Sequence, residues 1–152
     1  MQVEKKHILV GVTGGIAAYK AADLVSQLVK QGHDVQVVMT ENAHRFISPV
    51  TFAALTGKPV WLDEFASGSG MAVPHVELAG AADLFVVVPA TANTIAKLAW
   101  GLADNLLTSI ALVYNKTLLV APAMNTNMYR HPAVQENLAV LRRRGVEVIE
   151  PD

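Results

Sequence analysis

Cysteine is absent from this chain of 152 residues. That removes disulfides, thiolate metal sites and a thiol nucleophile together, and it fits a reducing compartment. Charge is also scarce: charged residues make up 16% and the formal net charge is −1. Such a balance leaves no electrostatic footprint for nucleic acid or an anionic membrane surface. The basic run Arg142-Arg143-Arg144 reads instead as the last turn of a helix, where cations oppose the helix dipole. No apolar run reaches membrane-spanning length. The N-terminal Met1-Gln2-Val3-Glu4-Lys5-Lys6 carries no signal-peptide pattern, so a cytoplasmic location is expected. No pair among the histidines at 7, 33, 44, 75 and 131 has convincing metal-ligand spacing.

What is abundant is apolar surface. Hydrophobic residues make up 52% of the chain. That exceeds what a soluble monomer of this size needs, and it points to surface buried between subunits of a homo-oligomer. Strand-like and helix-like segments alternate throughout. Residues 7–12 form an apolar β-rich run ending at Gly14-Gly15, and residues 16–30 then switch to helical spacing. Residues 34–39 read as a second strand, followed by short helices at 42–46 and 49–55. Residues 84–88 form a continuous apolar strand, 91–99 a helix, and Asp104 a cap for a helix at 105–112. A strand at 118–121, a helix opened by Pro132 and a last strand at 146–149 complete the pattern. Strands this apolar are covered on both faces by crossover helices. The expected fold is a single α/β domain, a doubly wound Rossmann-like or flavodoxin-like parallel sheet with helices on both faces.

The candidate chemistry gathers at strand tips, where open α/β sheets bind ligands. Gly14, Gly15 and Ile16 join the first strand to its helix, an arrangement that presents backbone N–H groups to a phosphate. The motif is neither a full dinucleotide fingerprint nor a P-loop. The second strand ends in Thr40-Glu41-Asn42, whose hydroxyl and amide suit a mononucleotide better than the ribose of a nicotinamide dinucleotide. Thr91, Ala92, Asn93 and Thr94 open the helix after the third strand, and Thr91 also reads as a helix cap. Ala121-Pro122-Ala123-Met124-Asn125-Thr126-Asn127-Met128 follows the fourth strand, and its Asn125 amide can donate to and accept from a polar ligand. His75 follows the small-residue stretch Ala66-Ser67-Gly68-Ser69-Gly70, which suits either a surface loop or a flap over a site. As a residue type, histidine is suited to general base chemistry.

Together these segments resemble the flavin-containing cysteine decarboxylases, in particular the decarboxylase domain of the bacterial bifunctional coenzyme A enzymes. The similarity runs in order through Gly14-Gly15-Ile16-Ala17-Ala18-Tyr19-Lys20, His75 in an HxEL setting, Pro89 to Thr94, Ala103-Asp104-Asn105-Leu106 and a P-x-M-N-x-x-M signature at residues 122–128. It implies FMN held between subunits of a trimer, often assembled further into a dodecamer. By position in the family, Gly14, Gly15 and Ile16 hold the phosphate end, and Thr40, Glu41, Asn42, Thr91, Ala92, Asn93, Thr94 and Ala123 line the cofactor site. His75 is the catalytic base, and Asn125 with Met128 binds the substrate's cysteinyl carboxylate. The implied reaction is redox-assisted decarboxylation of 4′-phosphopantothenoyl-cysteine through a thioaldehyde and an enethiol to 4′-phosphopantetheine.

One departure matters. Coenzyme A members of the family carry a cysteine shortly beyond the position where this chain stops, in a segment that closes over the substrate. This chain has neither that cysteine nor the ligase domain of the bifunctional enzymes. The expectation is a truncated or isolated domain at residues 1–152 that decarboxylates but completes reduction poorly. Rival readings are a peptidyl-cysteine decarboxylase, a non-enzymatic flavin-binding regulatory subunit and a flavin prenyltransferase, with a nicotinamide enzyme weakest.

Overall fold

The computed structural model describes residues 4–62 and 73–151. Five parallel strands form one sheet: β1 (His7–Val12), β2 (Asp34–Met39), β3 (Leu84–Ala90), β4 (Leu118–Pro122) and β5 (Glu147–Val148), in the order β2-β1-β3-β4-β5. The helices are α1 (Ala18–Lys30), α2 (Pro49–Thr56), α3 (Pro74–Ala81), α4 (Ala92–Trp100), α5 (Leu106–Val113), α6 (Thr126–Arg130) and α7 (Pro132–Arg143), with a 3-10 turn at Glu41–Arg45. This strand order is the flavodoxin-like one, and the chain reverses direction across the sheet between β1 and β3. A crevice is expected beyond the carboxyl ends of those two strands.

Alternating strand residues divide the core in two. Ile8, Val10 and Val12 pack with Val35, Val37 and Met39 under α1 and α2. Leu9, Phe85, Val87 and Val120 face α3, α4, α5 and α7 through Leu78, Ile95, Leu107, Ile110 and Leu138. The register follows, with Val10 opposite Val37 on one side and Val86 on the other. Gly11 lets α5 lie close to the sheet. A Cβ there would meet Leu107 Cδ1 at 2.8 Å and Phe85 Cε1 at 3.1 Å.

Several boundaries differ from the sequence reading, each for a local reason. α1 starts at Ala18, because the Ala18 N–H donates to Gly15 O in a turn and Ala17 supplies no side-chain cap. Asn105, not Asp104, caps α5; its side-chain Oδ1 accepts from Thr108 N at 2.8 Å, and Thr108 Oγ1 accepts from Asn105 N at 3.3 Å. Asp104 instead pairs with Lys97 at 2.9 Å. α3 and α6 are additional helices, and Trp61 forms an isolated parallel bridge to Val38. The proposed flap falls largely on residues 63–72, outside the described residues.

At the amino edge of the sheet, Asp34 forms an ion pair with Lys58 and a 2.7 Å hydrogen bond with His7 Nδ1. The Lys58 ammonium, with help from His7, holds the Asp34 carboxyl below its ordinary range against the opposing effect of burial. Asp83 Oδ2 accepts from His7 N at 2.8 Å, so the start of β3 is tied to the start of β1. These charges sit at the edge opposite the strand tips and leave the carboxyl edge for a ligand.

Candidate functional site

A cleft of about 490 Å³ opens at the carboxyl edge, where β1 and β3 part. Its size falls in the usual range for a small-molecule site, about 300–1,000 Å³. Gly14 comes from the β1 tip, Thr40, Glu41 and Asn42 from the β2 tip, and Thr91, Asn93 and Thr94 from the start of α4. Seven residues predicted from sequence thus share one surface. Gly15, Ile16, Ala92 and Ala123 do not line it, and neither do His75, Asn125 and Met128.

Gly14 explains how the first two loops meet. A Cβ on it would stand 2.6 Å from Asn42 Nδ2 and 3.0 Å from the Asn42 carbonyl carbon. Glycine here lets the β2 tip close against the β1 tip; a larger residue would push the Asn42 amide aside and press on the Asn42 backbone. The third wall is fixed from behind by Thr13, which is buried at 1% exposure. Its hydroxyl donates to Pro89 O at 2.5 Å and accepts from Thr91 N at 3.1 Å.

Helix starts supply the cleft's polarity. Thr40 Oγ1 accepts from Ala43 N at 3.3 Å, and Thr91 Oγ1 accepts from Thr94 N at 3.2 Å. The N-terminus of α5 reaches the same cleft through Asn105. Two cations, Arg45 and Lys97, and two acids, Glu41 and Asp104, complete the lining, so its formal charges cancel. Lys97 is held by Asp104. Attraction for an anion therefore rests chiefly on the N–H groups of two helix N-termini. The sequence reading missed Arg45, Lys97 and the cleft-lining positions of Asp104 and Asn105. The motif Asn105-Leu106-Leu107-Thr108 was the available signal, since an acceptor followed three residues later by a hydroxyl marks a capped helix start.

His75 and Asn125 reach the same edge of the sheet by different routes. α3 ends just before Asp83, which is bound to His7 at the amino edge. An eight-residue helix rises about 12 Å, so its N-terminus carries the half-buried His75 back towards the carboxyl edge. α3 packs against α5, the helix capped by Asn105. Asn125 follows β4, whose tip is tied to β3 by a 3.1 Å hydrogen bond from Ala123 N to Ala90 O. Its side-chain oxygen caps α6 by accepting from Asn127 N at 2.8 Å, which leaves the amide N–H groups as donors for a ligand. Met128 on α6 is 48% exposed, while Met124 packs on the core. His131 caps α7 and His33 Nδ1 accepts from Lys6 N, so both histidines serve structural roles.

The Flavoprotein family model matches residues 1–152. The coenzyme A biosynthesis bifunctional protein CoaBC of Mycobacterium tuberculosis is 53% identical over 146 residues, which cover 96% of this chain and 34% of that protein. This chain thus spans about a third of the length of that relative. Among solved structures, the FMN-dependent cysteine decarboxylase SpaF superposes with a TM-score of 0.91 and 34% identity, over 97% of this chain and 85% of that one. A cysteine-to-serine mutant of PPC decarboxylase complexed with pantothenoylaminoethenethiol gives a TM-score of 0.85 and 34% identity, over 98% of this chain and 84% of that one.

Proposed function

This chain belongs to the flavoprotein family, and from that premise we propose that it binds FMN and decarboxylates 4′-phosphopantothenoyl-cysteine. The observation that carries the reading is the cleft at the β1/β3 switch point, where neutral hydrogen-bonding residues from three strand tips meet. Its donor set fits a flavin mononucleotide: backbone N–H groups of the Gly14-Gly15-Ile16 turn and of the α4 and α5 N-termini for the phosphate, and the Asn42 and Asn93 amides for polar atoms nearby. Gly14 lets the Asn42 amide stand close against the β1 tip.

Bound FMN supplies a two-electron acceptor and donor, the hard part of the chemistry. The protein's share is positioning and proton transfer. His75 accepts the proton of the substrate's cysteinyl thiol as that residue is oxidised. Asn125 holds the cysteinyl carboxylate through its free amide N–H groups and aligns the bond that breaks as CO2 leaves. The exposed Met128 side chain packs beside the substrate. Gly15, Ile16, Ala92 and Ala123 flank the cleft as backbone contributors rather than side-chain ligands.

The protein acts as a homo-oligomer, a trimer that can assemble into a dodecamer, in the cytoplasm. Support comes from exposed apolar side chains between β1 and α1 and on α1 and α2: Ile16 is 85% exposed, Tyr19 62% and Val50 73%. No helix among the described residues is long and apolar enough to cross a membrane. The test is the product mass after FMN-loaded protein meets 4′-phosphopantothenoyl-cysteine. Loss of CO2, with or without two further hydrogens, supports the reading. Unchanged substrate with FMN bound, alongside turnover of a peptide ending in cysteine, refutes it in favour of the peptide-modifying activity.

A further inference from the structure

We propose that Thr13 is a positioning residue for the cofactor cleft, holding the N-terminus of α4 against the β1 tip through one hydroxyl. The inference rests on the FMN reading above and extends it to a residue that does not line the cleft. β1 and β3 pair only as far as Gly11 opposite Val87. Beyond that point the strands part to form the crevice, and the β3–β4 register shifts between Val87 and Ala90. No ladder hydrogen bond then fixes the β3–α4 turn relative to β1. The Thr13 side chain takes over that task, donating to Pro89 O at 2.5 Å and accepting from Thr91 N at 3.1 Å.

Only a hydroxyl does both. It carries one donor and two acceptor lone pairs on a single atom, and here both kinds are used on either side of Ala90. Valine has the same shape and neither function. In Thr13→Val the Pro89 carbonyl loses its donor and the Thr91 N–H its acceptor, so the turn that presents Thr91, Asn93 and Thr94 is released from Gly14. The opposing walls of the cleft would then vary in separation, and a ligand that spans them would have to restore their order on binding. The phosphate end should suffer most, because it depends on where the α4 N–H groups point.

The experiment is titration of apo protein with FMN and with riboflavin, followed by flavin fluorescence, for wild type, Thr13→Val and Thr13→Ser. Circular dichroism and melting of the apo proteins report the fold separately. The expected result is an FMN Kd raised about tenfold or more in Thr13→Val, where tenfold is about 1.4 kcal/mol. Riboflavin affinity should change much less, so the preference for the phosphorylated flavin shrinks. Thr13→Ser restores the hydroxyl and should return both affinities to near wild type. A general loss of stability would not alter that preference or be rescued in this pattern. A folded Thr13→Val protein with wild-type FMN affinity overturns the proposal. If the valine protein does not fold, the serine variant decides: wild-type affinity supports the hydroxyl's role, and a loss of about tenfold overturns it. A wild-type protein that binds neither flavin would refute the FMN reading itself, a different result from either outcome for Thr13.

Discussion

Replacing Asn105 by alanine and by aspartate separates two tasks that its side chain holds together. Asn105 caps α5 through the 2.8 Å bond to Thr108 N, and it also lines the cleft. Asn105→Ala removes the acceptor, which costs about 1 kcal/mol for a helix cap. In a domain of this size that lowers Tm by about 2–4 °C. Asn105→Asp keeps an acceptor for the same N–H and adds a negative charge at a helix N-terminus, where it is favourable by about 0.3–1 kcal/mol. Its Tm should equal or slightly exceed that of wild type. The order reverses for FMN. Two like unit charges at a separation on the order of 8 Å repel by about 0.5 kcal/mol in water and about 2 kcal/mol at an effective dielectric of 20, the scale expected for a carboxylate added to the lining of a cleft that takes a phosphate. That weakens binding by about two- to thirtyfold, whereas alanine leaves the cleft neutral and loses less. Melting curves and flavin titrations should therefore rank the variants differently: alanine lowest in Tm, aspartate lowest in affinity. The same ranking in both assays would refute the reasoning, because one side chain would then not be serving two separable ends.

His75→Asn should lower turnover by about a hundredfold or more, the usual range for loss of a general base, while flavin absorbance shows FMN still bound. Unchanged turnover would remove His75 from the mechanism. Asp34, whose carboxyl is depressed by Lys58, should stabilise the fold above the ordinary aspartate range and lose that contribution as pH falls through its lowered folded value. The pair is partly open to solvent, with Asp34 26% and Lys58 36% exposed, so the effect is about 0.5–1 kcal/mol. Asp34→Asn should lower Tm by about 1–4 °C at pH 7, and the gap to wild type should close as pH falls below the ordinary aspartate range; a constant gap as pH falls would contradict the ion-pair account. The 152-residue polypeptide contains no thiol, and mass spectrometry should find its main product lighter than substrate by CO2 and two hydrogens. A product lighter by CO2 alone would show that re-reduction needs no cysteine.

The parts of the fold that depend on local pattern were legible, and those that depend on distant partners were not. Residues 84–88 are apolar without a break because both faces of β3 are covered. Val134, Leu138 and Leu141 stand at helical spacing in the α7 sequence, and each of them packs on the core. The α3 sequence Pro-His-Val-Glu-Leu-Ala-Gly-Ala has no comparable stripe. It buries adjacent Leu78 and Ala79 together with Pro74, so its helical form relies on packing against α5. The five residues of α6 are little more than one turn and depend on the Asn125 cap. Strand order is set by which apolar faces meet across the whole chain, and no window of sequence contains that information.

The cleft shows why cap and ligand residue were hard to weigh against each other in the sequence. Thr91 read there as either a helix cap or a site residue. In the structure it is both, and the same holds for Thr40 and Asn105. The reason is geometric. In a parallel sheet every strand tip leads towards a helix N-terminus, so the residue that satisfies the helix's first N–H groups already stands at the carboxyl edge where ligands bind. Small hydroxyl and amide side chains meet the capping demand and keep the edge low and polar. Their capping bonds also fix the backbone N–H groups that face the cleft. A cap at this edge is therefore evidence for a ligand site rather than an alternative to it, whereas His131, which caps α7 beyond α6 and does not line the cleft, carries no such implication. For Thr40 and Thr91 the difference from His131 is the strand just before the cap, legible in the sequence as apolar runs that end just before Thr40 and close to Thr91, whereas none precedes His131; Asn105 follows α4 and not a strand, and only its Asn-x-x-Thr pattern marks it in the sequence.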